Sequence, residues 1–458
     1  MLNKTMRAFL LLVCVMAAAE SAKAETFYAY LTGAQEVPAV ATSGTGYARV
    51  VINETALTVS WTVVFNNLSS NQTASHIHAP AAIGANAPIA INFPAVGGTS
   101  GTLTGNAAIT ATQISQIRAH QGYVNIHTAN FPGGELRGQL GIKRPVDFDG
   151  DGRQDFTVWK FPASGSPRPI TQWSSNSTTG VQISAPFGEA TTDFPAPGDY
   201  DGDGKDDIAF YRDGIPASPQ SAFWIIKSSD STVQYYAWGL DGDAPVARDY
   251  DGDGITDVAT YRLGTTAGSQ SVWYIRQSSD NTAKVVNWGT TAATVNNVDF
   301  PVPGDYDGDG KFDVAVYRAG TLSPANTFIV LRSSDNTSQF QTFGNFTTDY
   351  VLPGDYDGDG KYDFAVARTG AISTSPMVWW ILQSSNGQTR VQTFGITSDF
   401  PVQGDYDGDA RCDIAVYRQP TGAGSPATFW VFNSFTNTAT PTQWGVTGDF
   451  AIARFDSR

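Results

Sequence analysis

Polar and apolar positions alternate in short runs along most of this chain. Asp207-Ile-Ala-Phe-Tyr-Arg212 and Phe223-Trp-Ile-Ile226 typify a carboxyl-terminal region whose β-branched and aromatic runs are separated by Ser, Asp, Asn and Gly. Period two sends successive side chains to opposite faces of a sheet, so each run predicts a short strand and each polar cluster a turn. Tyr47-Ala-Arg-Val-Val51, Leu57-Thr-Val-Ser-Trp61 and Ala108 to Thr110 predict strands nearer the amino terminus. The repeated region leaves no room for a helix of ordinary length. One stretch departs from alternation: Phe9 to Ala19 is nearly all apolar, with Lys4 and Arg7 before it and Ala22-Lys23-Ala24 after it. This reads as a cleavable secretory leader over residues 1–24, leaving Glu25 first. Cys14 leaves with it, so Cys412 is the single remaining thiol and no internal disulfide is expected. No later run approaches the ~20 apolar residues of a membrane span. The expected location is secreted, periplasmic or cell-surface, without direct membrane insertion.

From residue 147 one nine-residue sequence recurs six times, with start-to-start spacings of 52, 50, 56, 50 and 50. Each unit runs from this acidic loop through two strands to an aromatic-glycine pair. The pairs are Phe187-Gly188, Trp238-Gly239, Trp288-Gly289, Phe343-Gly344, Phe394-Gly395 and Trp444-Gly445. A short run such as Asp299-Phe-Pro-Val302 leads into the next loop. Four strands in a period near 50 predict a β-propeller over residues 143–458, whose units bury their faces against one another. The final run Asp449 to Arg454 favours six blades closed by terminal strands, with seven as the alternative.

The chemistry lies in the loops. Asp occupies positions 1, 3, 5 and 9: Asp147, Asp149, Asp151 and Asp155; Asp199, Asp201, Asp203 and Asp207; Asp249, Asp251, Asp253 and Asp257; Asp305, Asp307, Asp309 and Asp313; Asp355, Asp357, Asp359 and Asp363; Asp405, Asp407, Asp409 and Asp413. The position-7 backbone carbonyls of Arg153, Lys205, Ile255, Lys311, Lys361 and Arg411 offer a further oxygen each. Oxygen-only ligation on a tight Gly-bearing turn favours calcium over magnesium, zinc or copper, predicting about six structural ions. These loops hold 24 of the chain's 43 acidic residues, set against 28 basic ones and a formal charge of −15. Clustered carboxylates repel unless a divalent ion neutralises them. Ala410 replaces Gly at position 6 of the last loop, which predicts weaker ion binding there.

An acidic chain without a basic block is unsuited to nucleic acid. Carboxylates sharing an ion have no proton to give, which argues against glycosidase chemistry in the loops. The chain also lacks Gly-x-Ser-x-Gly, His-Glu-x-x-His and a phosphate-cradling loop. The leading expectation is a non-enzymatic recognition or adhesion protein binding an extracellular protein or glycan. A polysaccharide hydrolase or lyase on the propeller face and a structural cell-envelope protein are the alternatives. Trp224, Trp273, Trp380 and Trp430 are read as equivalent wedge fillers between blades. Arg212, Arg262, Arg318, Arg368 and Arg418, with Lys160, are read as pairing across blades or screening the acidic rim.

Residues 25–142 contain all four His and no acidic loop, and suffice for one β-sandwich. Gly141 to Pro145 form the expected linker. His76-Ile-His78 puts two imidazoles on one strand face; His127 could join them, with Glu36 and Glu135 nearby as carboxylates. The trio reads as a buried hydrogen-bonded network, a zinc or copper site, or a recognition surface. His120 is read as incidental.

Residues 147–458 resemble the FG-GAP or VCBS-type repeats of the integrin alpha-chain β-propeller family through Asp-x-Asp-Gly-Asp-Gly-x-x-Asp. The resemblance implies four-stranded blades with calcium loops at the rim and extracellular recognition or adhesion. Leu31-Thr-Gly-Ala-Gln-Glu-Val-Pro38, His76-Ile-His78, Val124-Asn-Ile-His-Thr128 and Pro132-Gly-Gly-Glu-Leu-Arg-Gly138 resemble the CHRD (chordin-type) domain. That likeness implies an all-β fold, an immunoglobulin-like or superoxide-dismutase-like sandwich preceding the propeller.

Overall fold

The computed structural model describes residues 24–81, 84–118, 121–141, 146–161, 170–177, 180–189, 192–291, 297–320, 326–345, 348–422, 424–434 and 436–452. The expected leader up to residue 23, Cys14, His120 and residues 142–145 of the linker lie outside them.

Eight strands build the amino-terminal domain: β1 (Ala24–Thr32), β2 (Thr45–Asn53), β3 (Thr58–Asn66), β4 (Gln72–His78), β5 (Ile89–Phe93), β6 (Gly101–Ala108), β7 (Tyr123–Thr128) and β8 (Leu136–Gln139). They form one sheet in the order β5-β4-β7-β8-β1-β2-β3-β6. This sheet curls into a nearly closed barrel or sandwich. Strict alternation in β2 and β3 sends Ala48, Val50, Ile52, Val59, Trp61, Val63 and Phe65 inward. Across the interior Trp61 stacks on Phe93 of β5 with centroids 4.2 Å apart. Ala108 to Thr110 is not a separate strand: Ala108 ends β6, and Thr110 caps helix α1 (Ala111–Arg118). The Thr110 and Gln113 side chains bond reciprocally to each other's backbone N–H, a capping box that also positions buried Ile114 and Ile117.

Six four-stranded antiparallel sheets follow. In blade 2 the order from the axis outward is Asp193–Pro195, Ile208–Arg212, Gln220–Ile226 and Val233–Leu240. Blade 1 takes its innermost strand, Phe450–Ile452, from the end of the chain, against Phe156–Lys160. The ring is therefore closed by residues almost 300 positions apart, and six is its blade number.

Two devices join the blades. The indole N–H of Trp238 donates to Tyr274 O, that of Trp288 to Ile329 O and that of Trp444 to Ser174 O, each 3.0 Å away in the next blade. The strand register also corrects the expected Trp equivalence. Trp224, Tyr274, Trp380 and Trp430 share one position, opposite Phe210, Thr260, Val366 and Val416. Trp273 instead matches Phe223, Trp379 and Phe429, which point into the blade interior with no more than 0% exposure. Arg212, Arg368 and Arg418 lie over the half-buried Trp224, Trp380 and Trp430 rings at 5.6 to 5.9 Å.

Those Arg residues do not pair across blades. Each grips an Asp on the neighbouring inner strand of its own blade through two guanidinium nitrogens: Arg212 with Asp193, Arg262 with Asp243, Arg318 with Asp299, Arg368 with Asp349 and Arg418 with Asp399. The Asp carboxylate also accepts the N–H just after the aromatic-glycine pair, from Glu189, Leu240, Thr290, Asn345 and Ile396 in turn. One buried anion thus ties the outer strand of one blade to the two inner strands of the next.

The barrel meets the propeller on its loop-bearing face. Thr26 Oγ1 donates to Asp253 O at 3.0 Å and Gln35 Nε2 to Gly408 O at 3.1 Å, so it touches loops in blades 3 and 6. Between them lies a small cavity lined by Thr26, Tyr28, Asp199, Asp249 and Thr256.

Candidate metal centres

In blades 2 to 6 each acidic loop links the innermost strand to the second, and in blade 1 it leads into the second strand, Phe156–Lys160. The position-1 carboxylate faces back into the turn and accepts the N–H groups of positions 4 and 6. In blade 2 these are Gly202 to Asp199 Oδ1 at 2.7 Å and Gly204 to Asp199 Oδ2 at 3.0 Å. The same pair recurs in all six loops. The position-9 carboxylate accepts the position-2 N–H at 2.9 Å in every loop, from Phe148, Tyr200, Tyr250, Tyr306, Tyr356 and Tyr406.

A second set of bonds connects the loops to one another. The position-8 N–H donates to the position-1 carbonyl of the preceding loop: Asp206 to Asp147, Thr256 to Asp199, Phe312 to Asp249, Tyr362 to Asp305 and Cys412 to Asp355. Gln154 donates to Asp405 and completes the circle, the six distances lying between 2.6 and 2.9 Å. Buried Cys412 belongs to this joint, its Sγ lying where a Cβ on Gly354 would come within 3.0 Å.

The expected ligands are brought together. One carboxylate oxygen from each of Asp147, Asp149 and Asp155 lies within 4.8 Å of the others, and the same holds for Asp199, Asp201 and Asp203, for Asp249, Asp251 and Asp257, and for Asp305, Asp307 and Asp313. The position-7 carbonyl faces the same centre in blade 3. There Ser278 Oγ lies 3.0 Å from both Asp253 oxygens, 2.8 Å from Asp257 Oδ1 and 3.5 Å from Ile255 O. Such clusters of hard oxygens are able to chelate a divalent cation.

Sequence reasoning missed the serines. Ser228 and Ser229 donate to Asp203 at 2.9 Å and Asp201 at 2.5 Å from the turn after the third strand. Ser278 and Ser279, Ser333 and Ser334, and Ser384 and Ser385 do the same in blades 3 to 5. Their signal was a Ser-Ser pair recurring 20 or 21 residues after position 9.

Burial, followed by the other carboxylates of the loop, pushes Asp155 and Asp363 up to about 8. Burial likewise raises Asp207 and Asp313 to about 7 against the bonds they accept, and drives Asp249, Asp305 and Asp413 well above the carboxylate range. Burial and mutual repulsion thus favour the protonated form of these carboxyls unless a cation neutralises them.

The structure also gathers His76, His78 and His127 from β4 and β7. Neither expected carboxylate joins them. Glu36 accepts from Asn125 Nδ2 at 2.8 Å, and burial lifts it to about 7. Glu135 is occupied by Thr42, Ser69 and Thr128 at 2.6 to 2.8 Å.

These features define a propeller whose loops are able to chelate cations, preceded by a single-sheet β domain. Residues 27–140 match the CHRD domain and residues 147–210 the FG-GAP-like repeat. The chain thus carries a CHRD-domain-like region followed by FG-GAP-type repeats that form a six-bladed propeller. This architecture is characteristic of non-catalytic structural and adhesion proteins rather than of enzymes. No curated protein matches the chain at a significant level. Among the described residues no helix is long and apolar enough to cross a membrane.

Two outcomes are expected. A carboxyl whose pKa is raised on folding holds a proton that the unfolded chain has released, so metal-free stability should fall as pH rises from the ordinary carboxylate range through about 8. Melting curves in chelator should show this fall, and saturating calcium should flatten or reverse it; a chelated melting temperature that climbs with pH would contradict it. Ala410 adopts φ +68° while its N–H still binds Asp405, the left-handed geometry of the glycines it replaces. Ala410→Gly should therefore stabilise the protein by about 1 kcal/mol and tighten ion binding in the loop starting at Asp405. Paired denaturation and calorimetric titration check this, unchanged values in both being the opposing result.

Proposed function

We propose that the protein is an exported, non-enzymatic recognition or adhesion protein whose acidic loops bind about six structural calcium ions. On this reading residues 1–24 are a leader, residues 25–142 the CHRD-like domain and residues 143–458 the propeller. The observation that carries it is the closed circle of loops, since residues that converge carboxylates on a cation also hold the blades together. Calcium suits these loops better than magnesium because Asp side chains at positions 1, 3, 5 and 9 and a position-7 carbonyl form a flexible, oxygen-rich shell. Zinc and copper prefer nitrogen or sulfur donors, which the loops lack. The ions neutralise carboxylates that otherwise need protons, and their binding free energy adds to the folded state alone. The partner is an extracellular protein or glycan, presented with loops on a scaffold stiffened in this way.

Because the barrel bonds to the main chain of two loops, chelation should loosen both the propeller and the seam. Limited proteolysis with and without chelator should give new cuts within the propeller and between the two domains when calcium is removed; identical fragments would oppose the calcium reading. The recognition reading is tested by screening the intact calcium-loaded protein against glycans, matrix proteins and whole cells. Saturable binding lost on chelation is expected, and turnover of a glycan in the same screen would overturn the non-enzymatic assignment.

A further inference from the structure

We propose that His76, His78 and His127 bind one transition-metal ion, zinc or copper, on the outer face of the amino-terminal barrel. His76 and His78 share one face of β4, opposite the core residue Ile77. Antiparallel pairing sets Ala74 against His127 and His78 against Tyr123 of β7. The third imidazole thereby reaches the same face without any sequence spacing that would announce it. One ring nitrogen from each of the three lies within 4.8 Å of the others.

The hydrogen bonds fix which nitrogens are available. His78 Nδ1 lies 2.9 Å from Ala87 O, and His127 Nδ1 lies 3.0 Å from Pro132 O. A carbonyl only accepts, so both Nδ1 atoms carry the proton and both Nε2 atoms keep a lone pair. His127 Nε2 points at His76 Nδ1, 3.1 Å away. His78 Nε2 is buried with no hydrogen-bond partner. A closed hydrogen-bond network leaves that lone pair unsatisfied, at a cost a bound cation would remove.

The surroundings support ligation. Tyr123 stacks on the His78 ring at 4.8 Å and 2°, and the Arg137 guanidinium covers Tyr123 at 3.6 Å, so the ring is held in orientation. Burial lowers the proton affinity of all three imidazoles, His76 to about 4, which favours the neutral form that ligates a metal. Three nitrogen donors suit zinc or copper and exclude the hard-ion preference of the propeller loops. A fourth position remains for water or a donor from outside.

The test uses the whole chain without its leader, in buffer saturated with calcium so that the acidic loops do not compete. Calorimetric titration with zinc should give one tight equivalent per chain, and His127→Gln and His78→Gln should each weaken it about 100-fold or more. Their melting temperatures in zinc-free, calcium-loaded buffer report whether each variant still folds. Cobalt added to the unmutated protein gives an independent readout, because a nitrogen-rich tetrahedral site produces intense visible absorption that the oxygen loops do not. The expected result is that absorption, displaced by one equivalent of zinc. The proposal is overturned by the pale spectrum of hydrated cobalt, or by folded His variants that bind zinc as tightly as the parent.

Discussion

Crowded carboxylates are the constraint to which the propeller is built. Two unit charges 4 Å apart interact by about 4 kcal/mol at the effective dielectric of a protein surface, and in the loops starting at Asp147, Asp199, Asp249 and Asp305 three carboxylates come within 4.8 Å of one another. That repulsion competes directly with a folding free energy of about 5–15 kcal/mol for a whole domain. The loops nevertheless carry the joints between blades. The position-1 Asp uses its side chain to close its own turn and its main-chain carbonyl to hold the following loop. A cation or a proton at this residue therefore acts on two blades at once, and six such residues make loop charge a property of the entire ring.

A second set of anions answers the same problem differently. Asp193, Asp243, Asp299, Asp349 and Asp399 are each neutralised by one Arg that keeps 32% to 42% of its side chain in water. These carboxylates need no metal, since a bidentate guanidinium and a backbone N–H satisfy them. The division is chemical: fixed Arg partners serve the strands, where geometry is already set by the ladder, whereas the irregular loops gather ligands around a shared centre.

The acidic loops were legible because nine-residue motifs repeat with dense chemistry, and the strands because alternation marks them. The Arg-gripping Asp and the Ser pairs recur just as regularly, but each is only one or two residues, and their partners become evident only once the strands are paired. The Trp alignment failed by a single position. In a strand that slip exchanges the two faces, moving Trp273 from the Arg-covered surface to the sealed interior of its blade. Curling of the amino-terminal sheet depends on distant pairings, β1 with β8 among them, which local periodicity does not encode. The short helix α1 was announced only by its Thr110 and Gln113 cap. His127 was identified as a partner for His76 and His78, but only the β4–β7 register brings it there.

The seam between the domains shows why loop order matters beyond the propeller. Hydrogen bonds across it go to main-chain carbonyls, Asp253 O and Gly408 O, and bonds of this kind contribute about 1 kcal/mol each. Fixing the backbone of one flexible residue costs about 1–2 kcal/mol, so a disordered nine-residue loop would consume more than such contacts return. Docking is favourable only onto a turn already ordered by its own carboxylates and their counter-charge. The barrel's position is in this sense a consequence of loop chemistry, while its histidine face, built from β4 and β7 and their covering turns, is held by a separate hydrogen-bond set.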